Sequence, residues 1–352
     1  MALPAGYAII DFDPPTADAA LWKRFHAYRR RRHAESQPED PVTPDADVEV
    51  WIRTPQLGGA DRRWLVAHGD DVVGAASASW VVDGPMLPTN GHLMWGGGGV
   101  LRAHRRRGIG TAIVRLVADE LVARDRSVLT AGTNEDDGRA FLAWLGAEVK
   151  LEAAENRLAL ADVDWAMVER WAAEGRRRSP DTSLVFWEHR VPEAEIVPYC
   201  AALTKQLNTM PHDDLDHGEI VMRPEDLHDM HARYDKIDAS LHTLITREPD
   251  GTISGITDVN YSPGRPDRVM QQFTGVDADH RGRGLGKWLK AAMLLYIRDT
   301  YPAAKTVVTG NANSNDPMLS INHRLGFKAH RGESVYQIGR EALAARLAAV
   351  QG

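Results

Sequence analysis

The sequence predicts an α+β protein in which one domain plan is built twice, and three observations carry that prediction. The chain has 352 residues, longer than a usual single domain. Two glycine-rich stretches, "HRRRGIGTA" from His104 and "HRGRGLGKW" from His280, align Gly108 with Gly284 at a separation of 176 residues, half the chain. Around these stretches the predicted elements follow in the same order in each half.

The repeat can be followed element by element. "YAIIDFDPPTADAALWKRF" from Tyr7 matches the pattern of "LVFWEHRVPEAEIVPYCAAL" from Leu184, 177 residues on. Each opens with a short strand, Tyr7–Phe12 or Ser183–Glu188, and continues as a helix with apolar residues at helical spacing. A hairpin comes next, "RRWLVAHGDDVVGAASASW" or "LHTLITREPDGTISGITDVNY", turned at "GDD" and "PDGT". A further strand then leads into the glycines, aligning "GVLRAHR" at Gly99 with "GVDADHR" at Gly275. In the first copy it reads "WGGGGVL" and is expected to be a poor strand, because each glycine costs order.

A long apolar-striped helix leaves the glycines, over 284–300 in the second copy. A buried strand ("KTVVTGN"), a short helix and a last hairpin complete the plan. "WLGAEV" and "RLGFKA" align Gly146 with Gly326, 180 residues apart. Even the trailing helices repeat, as "ADVDWAMVERWAAE" and "REALAARLAAVQ". The Gly-, Pro- and charge-rich "AAEGRRRSPDTS" over 172–183 divides the chain into domains 1–177 and 178–352.

Composition narrows the function classes. At 43% apolar and 26% charged, the chain has what a soluble globular protein needs to bury real cores. It lacks an 18-residue apolar run, and "MALPAGYAIIDFDPP" has no basic start or long apolar segment, so the expected compartment is the cytoplasm, with no membrane partner. The net charge of −7 gives no case for nucleic acid. A single cysteine, Cys200, excludes an internal disulfide and a multi-cysteine zinc site; within "EIVPYCAALTKQL" it reads as a buried thiol. The basic run "YRRRRHAE" (28–35) reads as the solvated face of a helix.

The glycines carry the chemistry. A strand that runs into a glycine turn opening a helix aims several N–H groups one way, and the helix N-terminus adds roughly half a positive charge. Without Cβ atoms the turn admits a phosphate close to the backbone. A nucleoside triphosphate loop needs GxxxxGK[ST], whereas "GRGLGKW" offers GxxxGK and then Trp. A dinucleotide fingerprint needs GxGxxG, whereas Gly282, Gly284 and Gly286 run GxGxG. Counting removes both, leaving another phosphate- or pyrophosphate-bearing ligand with no metal required.

"RGRGLG" and "RRRGIG" fit [QR]xxGx[GA], and here the chain resembles the GNAT acetyltransferase superfamily, in a tandem layout similar to actinobacterial two-domain acetyltransferases. The resemblance implies two tandem domains, each a central mixed, mostly antiparallel sheet flanked by helices. It also implies acetyl-coenzyme A as co-substrate and direct acetyl transfer to an amine. In the second copy it assigns coenzyme contacts to Thr274, Val276, Arg281, Gly282, Arg283, Gly284, Leu285, Gly286, Lys287 and Asn315. In the first copy it assigns them to Val100, Arg105, Gly108 and Gly110.

An alkylamine with a pKa near 10.4 is neutral about one time in 2,500 at pH 7, so a base is useful. Asp258 is the candidate on the second hairpin; Gln272 stands where the family often carries Glu and cannot serve. The position where the family often has a tyrosine acid is Asn322, which can hydrogen-bond but is a poor acid; water, Tyr261 or Tyr336 are the substitutes. The corresponding positions of the first copy are Leu142 and Glu135, and that copy is expected to be catalytically silent.

The acidic loop "HDDLDHGE" (212–219), with Asp213, Asp214, Asp216 and Glu219, is expected to cover the acceptor site and favour a cationic small-molecule amine. His212 and His217 supply too few ligands for a metal. The alternative to an enzyme is a non-catalytic sensor or scaffold that binds acyl-coenzyme A.

Overall fold

Residues 3–350 are described by a computed structural model. In chain order the elements are β1 (Tyr7–Asp11), α1 (Ala19–Ser36), α2 (Asp45–Ile52), β2 (Gly59–His68), β3 (Asp71–Val81), α3 (Leu87–Asn90), β4 (Leu93–Val100), α4 (Ile109–Ala123), β5 (Val128–Thr133), α5 (Asp136–Leu145), β6 (Glu148–Ala159) and α6 (Trp165–Arg178). The second copy continues with β7 (Ser183–Trp187), α7 (Glu193–Leu207), α8 (Pro224–Asp235), β8 (Ser240–Arg247), β9 (Ile253–Tyr261), β10 (Arg268–Val276), α9 (Leu285–Thr300), β11 (Thr306–Ala312), α10 (Asp316–Leu325), β12 (Lys328–Gly339) and α11 (Arg340–Ala349). No helix among the described residues is long and apolar enough to cross a membrane.

In space the chain divides otherwise than at residue 177. One compact unit takes the chain up to Leu151, Asp214–Glu219 and everything from Glu333 on; the other takes Glu152–Asp213 and Ile220–Gly332. The reason is an exchange of ends. In the first unit β5 pairs antiparallel with β12 of the second copy, Val128 opposite Gly339 through Thr133 opposite Ser334. In the second unit β11 pairs antiparallel with β6 of the first copy, Thr306 opposite Ala159 through Ala312 opposite Ala153. The trailing helices follow their strands. Leu343 and Leu347 of α11 enter the first unit's core, and Val168 and Trp171 of α6 enter the second's.

Each unit is a mixed sheet with one parallel pair. The first runs β1-β2-β3-β4-β5-β12 and the second β7-β8-β9-β10-β11-β6. Strands β4 and β5 are parallel, as are β10 and β11; every other pairing within a unit is antiparallel. Apolar stripes bury the helices on these sheets: Ile109, Ile113, Val117 and Leu121 of α4 in one unit, Leu289, Met293 and Ile297 of α9 in the other. Helix α7 covers part of the second sheet with Ile196, Tyr199 and Leu203.

The expectation of a poor strand at "WGGGGVL" fails. Strand β4 is complete and pairs with β3 from Ser79 opposite Trp95 to Gly74 opposite Val100. Its glycines let other groups reach the backbone. A Cβ on Gly99 would lie 2.8 Å from Arg32 Nε, and Tyr28 Oη donates to the Gly99 carbonyl at 2.8 Å. The run 28–35 is likewise not a solvated face: Tyr28 is buried, Arg29 and Arg30 pair with Asp45, Arg31 with Asp71, and Arg32 with Glu135.

Candidate active site

The same local geometry is built in both units. Strands β10 and β11 pair only over Arg268–Met270 and then part; β4 and β5 pair only over Leu93–Trp95 and then part. Beyond each parting the chain makes a short 3₁₀ turn and enters a helix through a left-handed glycine, Gly284 at φ +85° or Gly108 at φ +79°. Neither helix has a side-chain cap, so its first N–H groups stay available to an anion. At the preceding left-handed position the second copy has Gly282 (φ +80°) and the first Arg106 (φ +59°), a conformation costing a non-glycine residue about 1 kcal/mol.

The first arginine of each motif folds back onto its strand. Arg281 Nε donates to the Val276 carbonyl at 3.2 Å, and Arg105 Nε to the Val100 carbonyl at 2.9 Å. Their remaining partners differ. Arg281 otherwise meets only the Thr209 hydroxyl, at 2.9 Å. Arg105 is held by two carboxylates, Asp137 at 2.7 Å and Glu135 at 3.1 Å, and Glu135 also binds Arg32. Burial pushes the Glu135 carboxyl up, but Arg32 and Arg105 outweigh it and hold it below the ordinary range.

The other loop residues divide between contact and support. Gly286 is buried, 3.4 Å in virtual Cβ contact from Ile321; Gly110 stands equally close to Phe141. Leu285 is core. Arg283 turns away to Glu248 (2.9 Å) and the Thr182 hydroxyl, and the Lys287 ammonium lies 5.5 Å from the Trp171 ring. Thr274 bonds Thr257 (2.7 Å) and Gln271 (3.0 Å), and its main chain lies on the parted edge of β10. Asn315 caps α10, accepting from Met318 N at 3.3 Å.

Asp258 lies on β9, opposite Phe273, where a bulge in β10 leaves Gln272 exposed. Its carboxylate is buried and takes two donors, the Thr243 hydroxyl at 2.6 Å and the Tyr199 hydroxyl at 2.8 Å. Burial raises its pKa to about 6, against the lowering effect of those bonds. Asn322 is fully buried; its Nδ2 donates to Asn311 Oδ1 at 2.8 Å, while its Oδ1 has no partner. Gln206 of α7 is also buried with neither amide atom bonded, its Oε1 close against Gly275.

Several expected participants lie elsewhere. Tyr336 belongs to the first unit, opposite Ala131, and Tyr261 stacks on Tyr301 with centroids 3.8 Å apart. The acidic loop is split between the units. Asp213 bonds Ser314, while Asp216 meets His92 at 3.0 Å and Gly218 N donates to Asn90. His212 and His217 fall in different units. Leu142 packs against the first unit's core, and Cys200 is buried, its thiol pushed up to about 11 by burial.

Sequence reasoning missed Tyr199, Gln206, Asn311 and Lys290. Lys290 had a signal: within "LGKWLKAAMLLYI" it falls on the apolar stripe with Leu294 and Ile297. It is buried, bonded to Gln271 Oε1 at 2.7 Å and 5.0 Å from the Phe327 ring, and burial pulls its pKa down to about 7. Through Gln271 it joins the hydroxyls of Thr257 and Thr274.

The sequence model of the acetyltransferase (GNAT) family matches residues 22–146. No curated protein matches the chain. The fold is similar to that of a tandem GNAT protein from the clavulanic acid biosynthesis pathway, with TM-score 0.74 and 21% identity over 95% of this chain and 98% of that one. It is also similar to a GCN5-related N-acetyltransferase from Sphaerobacter thermophilus (TM-score 0.64, 14% identity, 96% and 97% covered). N-myristoyltransferase of Saccharomyces cerevisiae shares the fold at TM-score 0.58 and 10% identity, over 96% of this chain and 79% of that one. With a parted parallel pair and an uncapped glycine-led helix in each unit, the chain belongs to the GNAT acetyltransferase superfamily of acyltransferases, in its tandem form.

Proposed function

We propose that the chain transfers an acetyl group from acetyl-coenzyme A to a primary amine of a small molecule, with the chemistry in the second unit. One observation carries the choice of unit. The Arg281 guanidinium beside the uncapped start of α9 has no carboxylate partner among the described residues, whereas Arg105 is already neutralised by Glu135 and Asp137. A pyrophosphate gains from the first arrangement and meets like charge in the second.

The residues of the second unit fit such a ligand. The first-turn amides of α9, with Gly282 and Gly284 leaving room beside them, would hold the pyrophosphate together with Arg281. Main-chain groups of Thr274 and Val276 face the parted edge, where the unbonded Oδ1 of Asn322 is a buried acceptor suited to an amide N–H. The coenzyme supplies an acetyl group activated as a thioester.

Asp258 then works as base. With a pKa of about 6 it is ionised at neutral pH, and Tyr199, which donates to it, offers its own oxygen to an incoming ammonium. Passing the amine's proton to Tyr199 while Tyr199 gives its own to Asp258 removes a deprotonation cost of about 4.6 kcal/mol. Asn322 and Asn311 position rather than protonate.

The test is release of free thiol from acetyl-coenzyme A over a panel of aminoglycosides, polyamines and amino acids. Acceptor-dependent release is the expected result. Coenzyme binding without release across the panel would replace the enzyme by a sensor.

A further inference from the structure

The first unit encloses an open cavity of about 290 Å³ that the transfer chemistry does not use. Phe12, Phe25 and Trp64 form its apolar wall, Ala75 lies in its floor, and Arg32 and Glu135 stand at its rim. The Phe12 and Phe25 rings are 5.0 Å apart between centroids. A cavity of about 150 Å³ is enough for benzene, so this one takes a ring with a short side chain.

Its polar end is specified by one side chain. Arg32 uses Nη2 on Glu135, while its Nη1 is buried without a hydrogen-bond partner. A buried N–H left unmet costs about 1–3 kcal/mol, recovered by an oxygen placed on it. A guanidinium repels cations and matches carboxylate in geometry and charge.

In the second unit the place that corresponds through the repeat is packed. A Cβ on Gly275, the counterpart of Gly99, would meet the Phe273 ring at 2.4 Å and Gln206 Oε1 at 2.8 Å. One copy has filled this hollow and the other has kept it.

We propose that the first unit is a binding site for a small aromatic carboxylate about the size of phenylacetate, separate from the coenzyme site of the second unit. The aromatic ring lies against Phe12, Phe25 and Trp64, and the carboxylate meets Arg32 Nη1.

Calorimetric titration of the full chain with phenylacetate, 2-phenylethylamine and benzyl alcohol tests it. Phenylacetate is expected to bind once per chain with a Kd below about 1 mM, and the amine and alcohol at least tenfold more weakly. Arg32→Met should weaken phenylacetate binding at least tenfold, and Ala75→Leu, which fills the floor and leaves the charges alone, should abolish it. A thermal melt of each variant establishes folding; where Arg32→Met is unfolded, Ala75→Leu decides. Gly284→Val should leave phenylacetate binding unchanged, which separates this site from the coenzyme site whether or not the chain turns over acetyl-coenzyme A. No phenylacetate binding, equal affinity for the three probes, or undiminished binding to a folded Ala75→Leu variant would overturn the proposal.

Discussion

Cutting the chain at residue 177, where the sequence repeat divides it, should leave two pieces that cannot complete their own cores. The fragment 1–177 lacks Ile338, Leu343 and Leu347, all buried in the first unit. At about 1.5–3 kcal/mol for each buried side chain, the loss is about 5–9 kcal/mol. The fragment 178–352 lacks Leu158, Val163, Val168 and Trp171 from the second unit's core, a loss of about 6–12 kcal/mol. Domain stabilities are typically about 5–15 kcal/mol, so neither fragment should retain a folded monomer. Each also bares a strand edge, β5 or β11, that the other copy's strand covers in the intact chain. Circular dichroism melts and size-exclusion chromatography of the two fragments are the assay. Each alone should lack a cooperative transition or self-associate, and co-expression should restore one folded complex. Either fragment melting cooperatively as a monomer, within a few degrees of the intact chain, would refute the exchange of ends.

Three further outcomes follow from particular side chains. Gly175→Ala should destabilise despite Ala's helix propensity, worth about 1 kcal/mol, because its Cβ would lie 2.2 Å from Trp288 Cγ; denaturant unfolding should show a loss of about 1–3 kcal/mol. Lys290 releases its proton near pH 7 when folded and near 10.5 when unfolded, so the unfolded chain binds more protons between those values and stability rises with pH across them. The penalty below pH 7 is about 5 kcal/mol; Lys290→Met should remove this slope and gain about 2–4 kcal/mol at pH 7, after the cost of leaving Gln271 Oε1 unpaired. Asp258→Asn should lower kcat about 10²- to 10⁴-fold and erase an acidic limb of kcat/KM near pH 6, below which the protonated Asp258 cannot accept the amine's proton.

The duplication was legible because glycines are hard to replace: Gly108 and Gly284 occupy left-handed positions that few other residues tolerate. The exchange of ends was not, since β6 and β12 carry the same pattern and either strand suits either sheet. What separates them is which of two similar edges each meets, and periodicity does not encode that. "WGGGGVL" misled for a related reason, because β3 and the approach of Tyr28 and Arg32 stabilise a strand whose own propensity is poor. At the site, Asp258 was visible as a carboxylate on a hairpin, but not its enclosure by Tyr199, 59 residues earlier on another element. The acidic loop read as a cluster because its residues are adjacent in sequence, yet they end on two different units.

The central claim is that coenzyme-dependent chemistry belongs to the second unit. Gly284→Val and Gly108→Val place the same strained side chain at the matching left-handed position of each loop, and steady-state thiol release by the two variants compares the units directly. Gly284→Val should lose acceptor-dependent turnover at least a hundredfold while Gly108→Val stays within about threefold of the parent chain. Turnover retained by a folded Gly284→Val and lost in Gly108→Val would move the chemistry to the first unit and contradict the account.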